Sequence, residues 1–200
     1  MATTTTRATG FSIDLPGSWF EFDIWRATRT GDLARLVDAR IKEVPELGPH
    51  RGKLLKLLRQ IALDAERNHA VFCAGMGEIS ADGSLMATAM AFHTDGAPDP
   101  RLNTAEAIAG QVTAQAASSG SPYWRAVELV DLPVGRAART RGVQRVASGG
   151  QGADFVVMHT IVPVPSGDGV LTLSLSSPQV ALAQPMLDLF AAISSTLTWT

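Results

Sequence analysis

Alternating apolar and polar residues near both ends of the chain predict β-strands at each terminus. Residues 11–15 alternate before Pro16, and residues 170–175 alternate in the same way before Pro178. A period of two is typical of a strand with one buried face. After Pro178 the spacing becomes helical and predicts a closing helix over residues 182–193, which would present to the sheet Leu182, Met186, Leu189, Phe190 and Ile193. We therefore expect both ends to belong to one layered α/β domain.

The middle of the chain predicts three helices and a hairpin. Helical spacing predicts helices over residues 32–44 and 51–68, the second of them strongly amphipathic. Apolar runs on both sides of Asp82-Gly83 predict a β-hairpin within residues 70–94. Residues 103–106 form an N-capped start for a helix that reaches residue 117.

The last third of the chain predicts four consecutive strands, over about residues 126–132, 136–146, 154–163 and 169–176. The loops between them are too short for crossover helices, so we expect an antiparallel meander. The predicted fold class is α/β (α+β), with a largely antiparallel central sheet flanked by helices. We expect residues 1–10 to be a disordered N-terminal segment and residues 11–200 to be a single domain with a helical insertion at about 32–68.

Composition limits the partners and the compartment. The chain has 200 residues, of which 46% are hydrophobic and 18% charged, enough to fill the core of one domain. Its net charge of −2 provides no overall attraction to nucleic acid or anionic lipid. The single cysteine, Cys73, lies in an apolar run and is expected to be buried and inert. We see no signal peptide and no membrane span, and expect a cytoplasmic protein.

Motifs for catalysis or metal binding are not apparent. The four histidines lie in different predicted elements, without the spacing that zinc hydrolases use: His50, His69, His93 and His159. No Gly-x-Ser-x-Gly turn marks a nucleophilic serine. We therefore expect no catalytic residue, no cofactor and no metal, and any metal site would have to be assembled by tertiary structure.

The candidate contacts for a partner are arginines and aromatic residues. Arg136, Arg139, Arg141 and Arg145 form the local charge cluster, and strand alternation places Arg139 and Arg141 on one face. Guanidinium groups there could bind the carboxylates or phosphates of a partner. The alternative is a solvent-facing strand or a protective charged sheet edge. No aromatic residues interleave with these arginines, which argues against single-stranded nucleic acid. Further candidate contacts near predicted loops are Trp25, Tyr123 and Trp124.

The order of elements resembles a known fold. A strand, Pro-Gly and Trp occupy residues 11–19, and the chain ends with Ile-Val-Pro at 161–163, Leu-Ser-Leu-Ser-Ser-Pro at 173–178 and Leu-Phe-Ala-Ala-Ile at 189–193. This pattern resembles the PsbP-like fold of photosystem extrinsic proteins and Mog-type Ran-binding proteins, and is closest to the actinobacterial LpqN-like proteins. The resemblance implies an α/β/α sandwich that binds other proteins without catalysis. It covers the terminal thirds, leaves the helical segment 32–68 as an addition, and carries over no functional residue.

These features predict a non-enzymatic protein-interaction module, either an adaptor or a small structural component of a larger assembly. The alternative is a small-molecule-binding protein or hydrolase, with a pocket between the sheet and the helices of residues 32–68. A protein partner is expected, or a second copy of the chain in a homo-oligomer.

Overall fold

A seven-stranded antiparallel sheet lies at the centre of the fold, which the computed structural model describes for residues 10–21, 23–25, 29–80, 83–118, 125–148, 151–167 and 169–200. In order across the sheet, its strands are β2 (Trp19–Glu21), β3 (Ala70–Ser80), β4 (Gly83–Asp95), β8 (Gly169–Ser177), β7 (Gln151–Pro163), β6 (Gly135–Ser148) and β5 (Arg125–Leu132). All neighbouring strands are antiparallel. The predicted hairpin of β3 and β4 and the predicted meander from β5 to β8 are confirmed.

Helices cover both faces of the sheet and make the fold an α/β sandwich. The described part of the chain has four α-helices: α1 (Arg29–Glu43), α2 (Arg51–Arg67), α3 (Ala105–Ser118) and α4 (Ala183–Ser195). Helices α1 and α2 cover the β3–β4 side of one face, and α3 covers the β5–β6 side of the same face. Helix α4 covers the other face, which we call the α4 face. The predicted fold class is confirmed.

Helix α2 lies close to the sheet because β3 carries glycines beneath it. Its buried residues follow the spacing of an amphipathic helix: Leu55, Leu58, Ile61, Ala62 and Ala65. A Cβ added at Gly75 would lie 3.5 Å from Leu58, and one at Gly77 would lie 3.4 Å from Leu54. The predicted amphipathic helix is confirmed, and the glycines of β3 allow its close approach.

Helix α4 closes the core with Phe190, which is fully buried. Met186, Leu187 and Ile193 are buried beside it against the sheet. The prediction that Leu182 also packs on the sheet is wrong, since that residue is 44% exposed. It ends a short 3₁₀ turn, Val180–Leu182, which precedes the helix and changes the direction of its side chain.

The two chain ends pair with each other outside the main sheet. Strand β1 (Phe11–Ser12) is antiparallel to β9 (Thr198–Trp199), and Gly10 exchanges backbone hydrogen bonds with Thr200. The strand predicted over residues 11–15 is therefore shorter than expected and belongs to a separate two-stranded sheet. The predicted disordered segment, apart from Gly10, lies outside the described residues. Within the described residues, no helix combines the length and hydropathy that a bilayer span requires.

Candidate functional site

A cavity of about 650 Å³ lies on the α4 face, between the main sheet and the β1–β9 pair. We call it the terminal pocket. Its apolar lining comprises Phe11, Ile13, Val71, Phe72, Val164, Leu171 and Trp199, and its remaining lining residues are Gly10, Ser12, Glu21 and His93. Volumes of this size, with a mostly apolar lining and a few polar groups, are typical of small-molecule sites.

The floor of the terminal pocket comes from neighbouring strands of the main sheet. His93 on β4 lies opposite Leu171 on β8, so alternation places both side chains on the α4 face. The register of β3 shifts between Ala70 and Phe72, which makes Val71 the extra residue of a bulge. Val71 is consequently 53% exposed and forms part of the pocket rim.

The roof of the terminal pocket is the β1–β9 pair, and specific contacts hold it in place. Phe11 lies opposite Trp199 in the register, and its ring meets the Phe72 ring edge-on, with 6.1 Å between centroids. The indole Nε1 of Trp199 donates a 2.9 Å hydrogen bond to the carbonyl oxygen of Val134. The roof is thereby tied both to the floor and to the turn between β5 and β6.

Two titratable side chains lie on the pocket lining, His93 and Glu21, and both are exposed. Gly169 leaves room for the imidazole, since an added Cβ would lie only 2.9 Å from His93 Cε1. The hydroxyl of Ser12 is hydrogen-bonded to Thr198 Oγ1 at 2.7 Å, so it is not paired with a base. Among the described residues, no group of three His, Cys, Asp or Glu side chains could hold a metal ion.

The alternative interpretation of the sequence, a small-molecule-binding protein or hydrolase, places a pocket on the other face, between the sheet and the helices of residues 32–68. There the described residues enclose a cavity of only about 20 Å³, because α2 packs closely on β3. The residues of the terminal pocket were missed. The aromatic residues Phe11 and Trp199 near the two ends of the chain were a possible indication of this site. No local sequence pattern indicates that they pair with each other.

The predicted arginine cluster is divided between the two faces of the sheet. Strand β6 alternates, so Arg139, Arg141 and Arg145 share the α4 face, and Arg136 lies on the opposite face. The expectation that Arg139 and Arg141 share a face is confirmed. Three of these arginines lie near carboxylates of the same chain, in the pairs Arg136–Glu106 at 3.2 Å, Arg141–Glu128 at 3.6 Å and Arg145–Asp154 at 3.4 Å.

Arg139 differs from the other three because it is only 8% exposed. Its Nε has no hydrogen-bond partner, and no carboxylate of the described residues lies within the 4.0 Å ion-pair distance of its guanidinium. Burial lowers the pKa of Arg139, the nearby Glu128 opposes this, and Arg141 reinforces it. The side chain is therefore a buried cation rather than a projecting contact for a partner surface.

Trp25 is 56% exposed, as expected for a candidate contact. Its Nε1 donates a 3.0 Å hydrogen bond to the carbonyl oxygen of Ala70, and its ring stacks on His69 at 6.3 Å. Since Val71 follows Ala70, the exposed indole lies near the rim of the terminal pocket. The other two aromatic candidates, Tyr123 and Trp124, lie outside the described residues.

Cys73 is buried beneath α2, which confirms the expectation from its apolar run. Burial raises the pKa of its thiol to about 12. Because the thiolate is the reactive form, this side chain is inert at neutral pH.

Comparison with known proteins includes a distant similarity to a solved structure. No protein-family model matches the chain, and no curated protein matches its sequence. Among solved structures, the chain is similar to LpqN, described as involved in cell envelope biogenesis of Mycobacterium tuberculosis. The sequences are 11% identical, the TM-score is 0.45, and the similarity covers 95% of this chain and 83% of LpqN.

Proposed function

We propose that the chain is a non-enzymatic binding protein that holds a small molecule with a largely apolar, aromatic-compatible body in the terminal pocket. The observation that carries this proposal is the cavity of about 650 Å³ between the sheet and the paired chain ends. A concave site of this volume, bordered by aromatic rings and a few polar groups, is the default hypothesis for a ligand site.

The lining favours an apolar ligand for a physical reason. Three aromatic rings, those of Phe11, Phe72 and Trp199, border the cavity. Moving apolar surface out of water gains about 25 cal/mol per Å², and ring–ring contacts add to that gain. His93 and Glu21 favour a ligand that keeps a polar end near solvent.

The hydrogen bonding of the Ser12 hydroxyl favours ligand binding over hydrolysis. A serine nucleophile requires a base within hydrogen-bond reach. Ser12 instead shares its hydrogen bond with Thr198, and in the described residues no bond joins it to His93.

A matched pair of variants tests the proposal with two neutral probes, indole and 1-hexanol. Val71→Trp places a large ring at the pocket rim, and Leu63→Trp places the same ring on an exposed position of α2. We expect saturable binding to the unmodified protein, at least about tenfold weaker binding to Val71→Trp, and no change in Leu63→Trp. Calorimetric titration measures each affinity. Absence of saturable binding, or equal affinities for both variants, would contradict the proposal.

A second candidate is a protein partner, favoured by the open edge of the sheet. Strand β5 is the last strand of the order, and none of the described strands pairs with its outer edge. A partner strand, or β5 of a second copy, could add to such an edge. Leu129→Lys would introduce a charge on β5 and is expected to abolish the association. Native mass spectrometry measures the association of two copies. A strictly monomeric protein would exclude pairing through β5 of a second copy.

The fold family and the compartment are part of the proposal. We propose that the chain has the PsbP-like fold of the LpqN-like proteins, and the sandwich and the order of its elements support this proposal. A cytoplasmic location is supported by the free cysteine and the composition. Cell fractionation with an antibody against the chain tests the location.

A further inference from the structure

Two arginines lie on the α4 face of β6 near one carboxylate, that of Glu128 on β5. Arg139 lies between Glu128 on β5 and Thr160 on β7, and Arg141 follows two residues along the same face. We call the three residues Arg139, Arg141 and Glu128 the arginine site. This site is separate from the terminal pocket, because none of the three residues lines that cavity.

The hydrogen bonding of this group is incomplete. Glu128 Oε1 is 3.6 Å from Arg141 Nε, beyond hydrogen-bond distance. The Nε atoms of Arg139 and Arg141 are both buried and lack a hydrogen-bond partner. Two guanidinium groups and one carboxylate leave a net charge of +1.

Only Arg139 is buried as a whole, since the side chains of Arg141 and Glu128 are 38% and 36% exposed. A buried charge without a partner is costly, and proteins normally compensate it with an opposite charge. The planar guanidinium group matches an oxyanion in geometry and can form two parallel hydrogen bonds with it. A monoanion would neutralise the net charge of +1, whereas a dianionic phosphate would leave an excess of −1. The charge balance therefore favours a monoanion, and the planar guanidinium geometry favours a carboxylate over a spherical ion such as chloride.

We propose that Arg139 and Arg141 bind the carboxylate group of a small aliphatic acid. The low exposure of Arg139 excludes a broad protein surface, whereas the 38% exposure of the Arg141 side chain leaves an approach from solvent for a small group. Ala126 lies opposite Arg141 and Val130 opposite Ala137, so both lie on the α4 face and provide half-buried apolar surface for a short chain. Butyrate has this combination of charge and size. The proposal does not depend on a ligand in the terminal pocket.

The experiment compares butyrate with chloride at equal ionic strength. We expect butyrate to raise the melting temperature in a saturable manner, and calorimetry to give a dissociation constant. Arg139→Met should weaken binding at least about tenfold, because a hydrogen bond to a charged group is lost. Arg136→Met, on the opposite face, is the matched control and should bind normally. Val71→Trp should also bind normally, which separates this site from the terminal pocket.

A second variant keeps the proposal testable if Arg139→Met does not fold. Glu128→Gln removes the internal carboxylate at a half-buried position and should strengthen butyrate binding by about tenfold. No binding of butyrate to the unmodified protein, or unchanged affinity in both variants, would overturn the proposal. Tighter binding of phosphate, or of an acetylated glutamyl peptide amide, would overturn the assignment to a small monocarboxylic acid.

Discussion

Replacement of Phe190 by alanine tests how α4 is held on the sheet. The ring is fully buried among side chains that are themselves buried, including Met158, Leu173 and Leu175. Loss of its burial costs about 1.5–3 kcal/mol, and the cavity that remains raises the total to about 3–5 kcal/mol. This is a substantial part of the 5–15 kcal/mol that is typical of domain stability, roughly a fifth or more.

Urea unfolding followed by circular dichroism measures this loss. We expect a lower midpoint with an unchanged slope, because the surface exposed on unfolding remains nearly the same. Leu182→Ala is the matched control at the exposed turn before α4, and should change stability by about 0.5 kcal/mol or less. A loss below about 1 kcal/mol for Phe190→Ala, or equal losses for both variants, would refute the role of α4 in the core.

Two further predictions concern stability. Burial raises the pKa of the Cys73 thiol from 9.0 to about 12. The contribution of this thiol to the free energy of unfolding is therefore complete below pH 9. It declines between pH 9 and 12, by up to about 1.4 kcal/mol per pH unit. The free energy of unfolding of Cys73→Ala, measured with urea, should decline less above pH 9 than that of the unmodified protein. Equal declines in the two proteins would contradict the raised pKa of Cys73. Trp199→Phe keeps a ring but removes the hydrogen bond to Val134, and should cost about 1 kcal/mol. An unchanged melting temperature would show that this bond does not hold the roof.

Local patterns predicted the elements that depend on local spacing. The face of α2 could be read from the positions of Leu58, Ile61 and Ala65, because helical periodicity determines which residues share a face. The meander from β5 to β8 followed from its short loops. Strand alternation likewise placed Arg139 and Arg141 together.

The terminal pocket could not be predicted, because it depends on contacts between distant residues. Phe11 lies opposite Trp199, at the other end of the chain, and no local periodicity indicates such a pairing. The burial of Arg139 was not predictable for a similar reason, since the spacing of β6 gives the face of the sheet but not what packs on it. Leu182 was misplaced because apolar spacing continues into the 3₁₀ turn, which orients its side chain toward solvent.

The most direct test of the account is a two-dimensional ¹⁵N NMR titration of the full chain with indole. The account predicts saturable shifts in the amides of residues 10–13, Phe72 and Leu171, and in the indole signal of Trp199. Signals from α1 and α2 should remain unchanged, because the cavity that the described residues enclose beneath α2 has a volume of about 20 Å³. Shifts confined to α1 and α2, or no saturable shift at any residue, would contradict the terminal pocket as the ligand site.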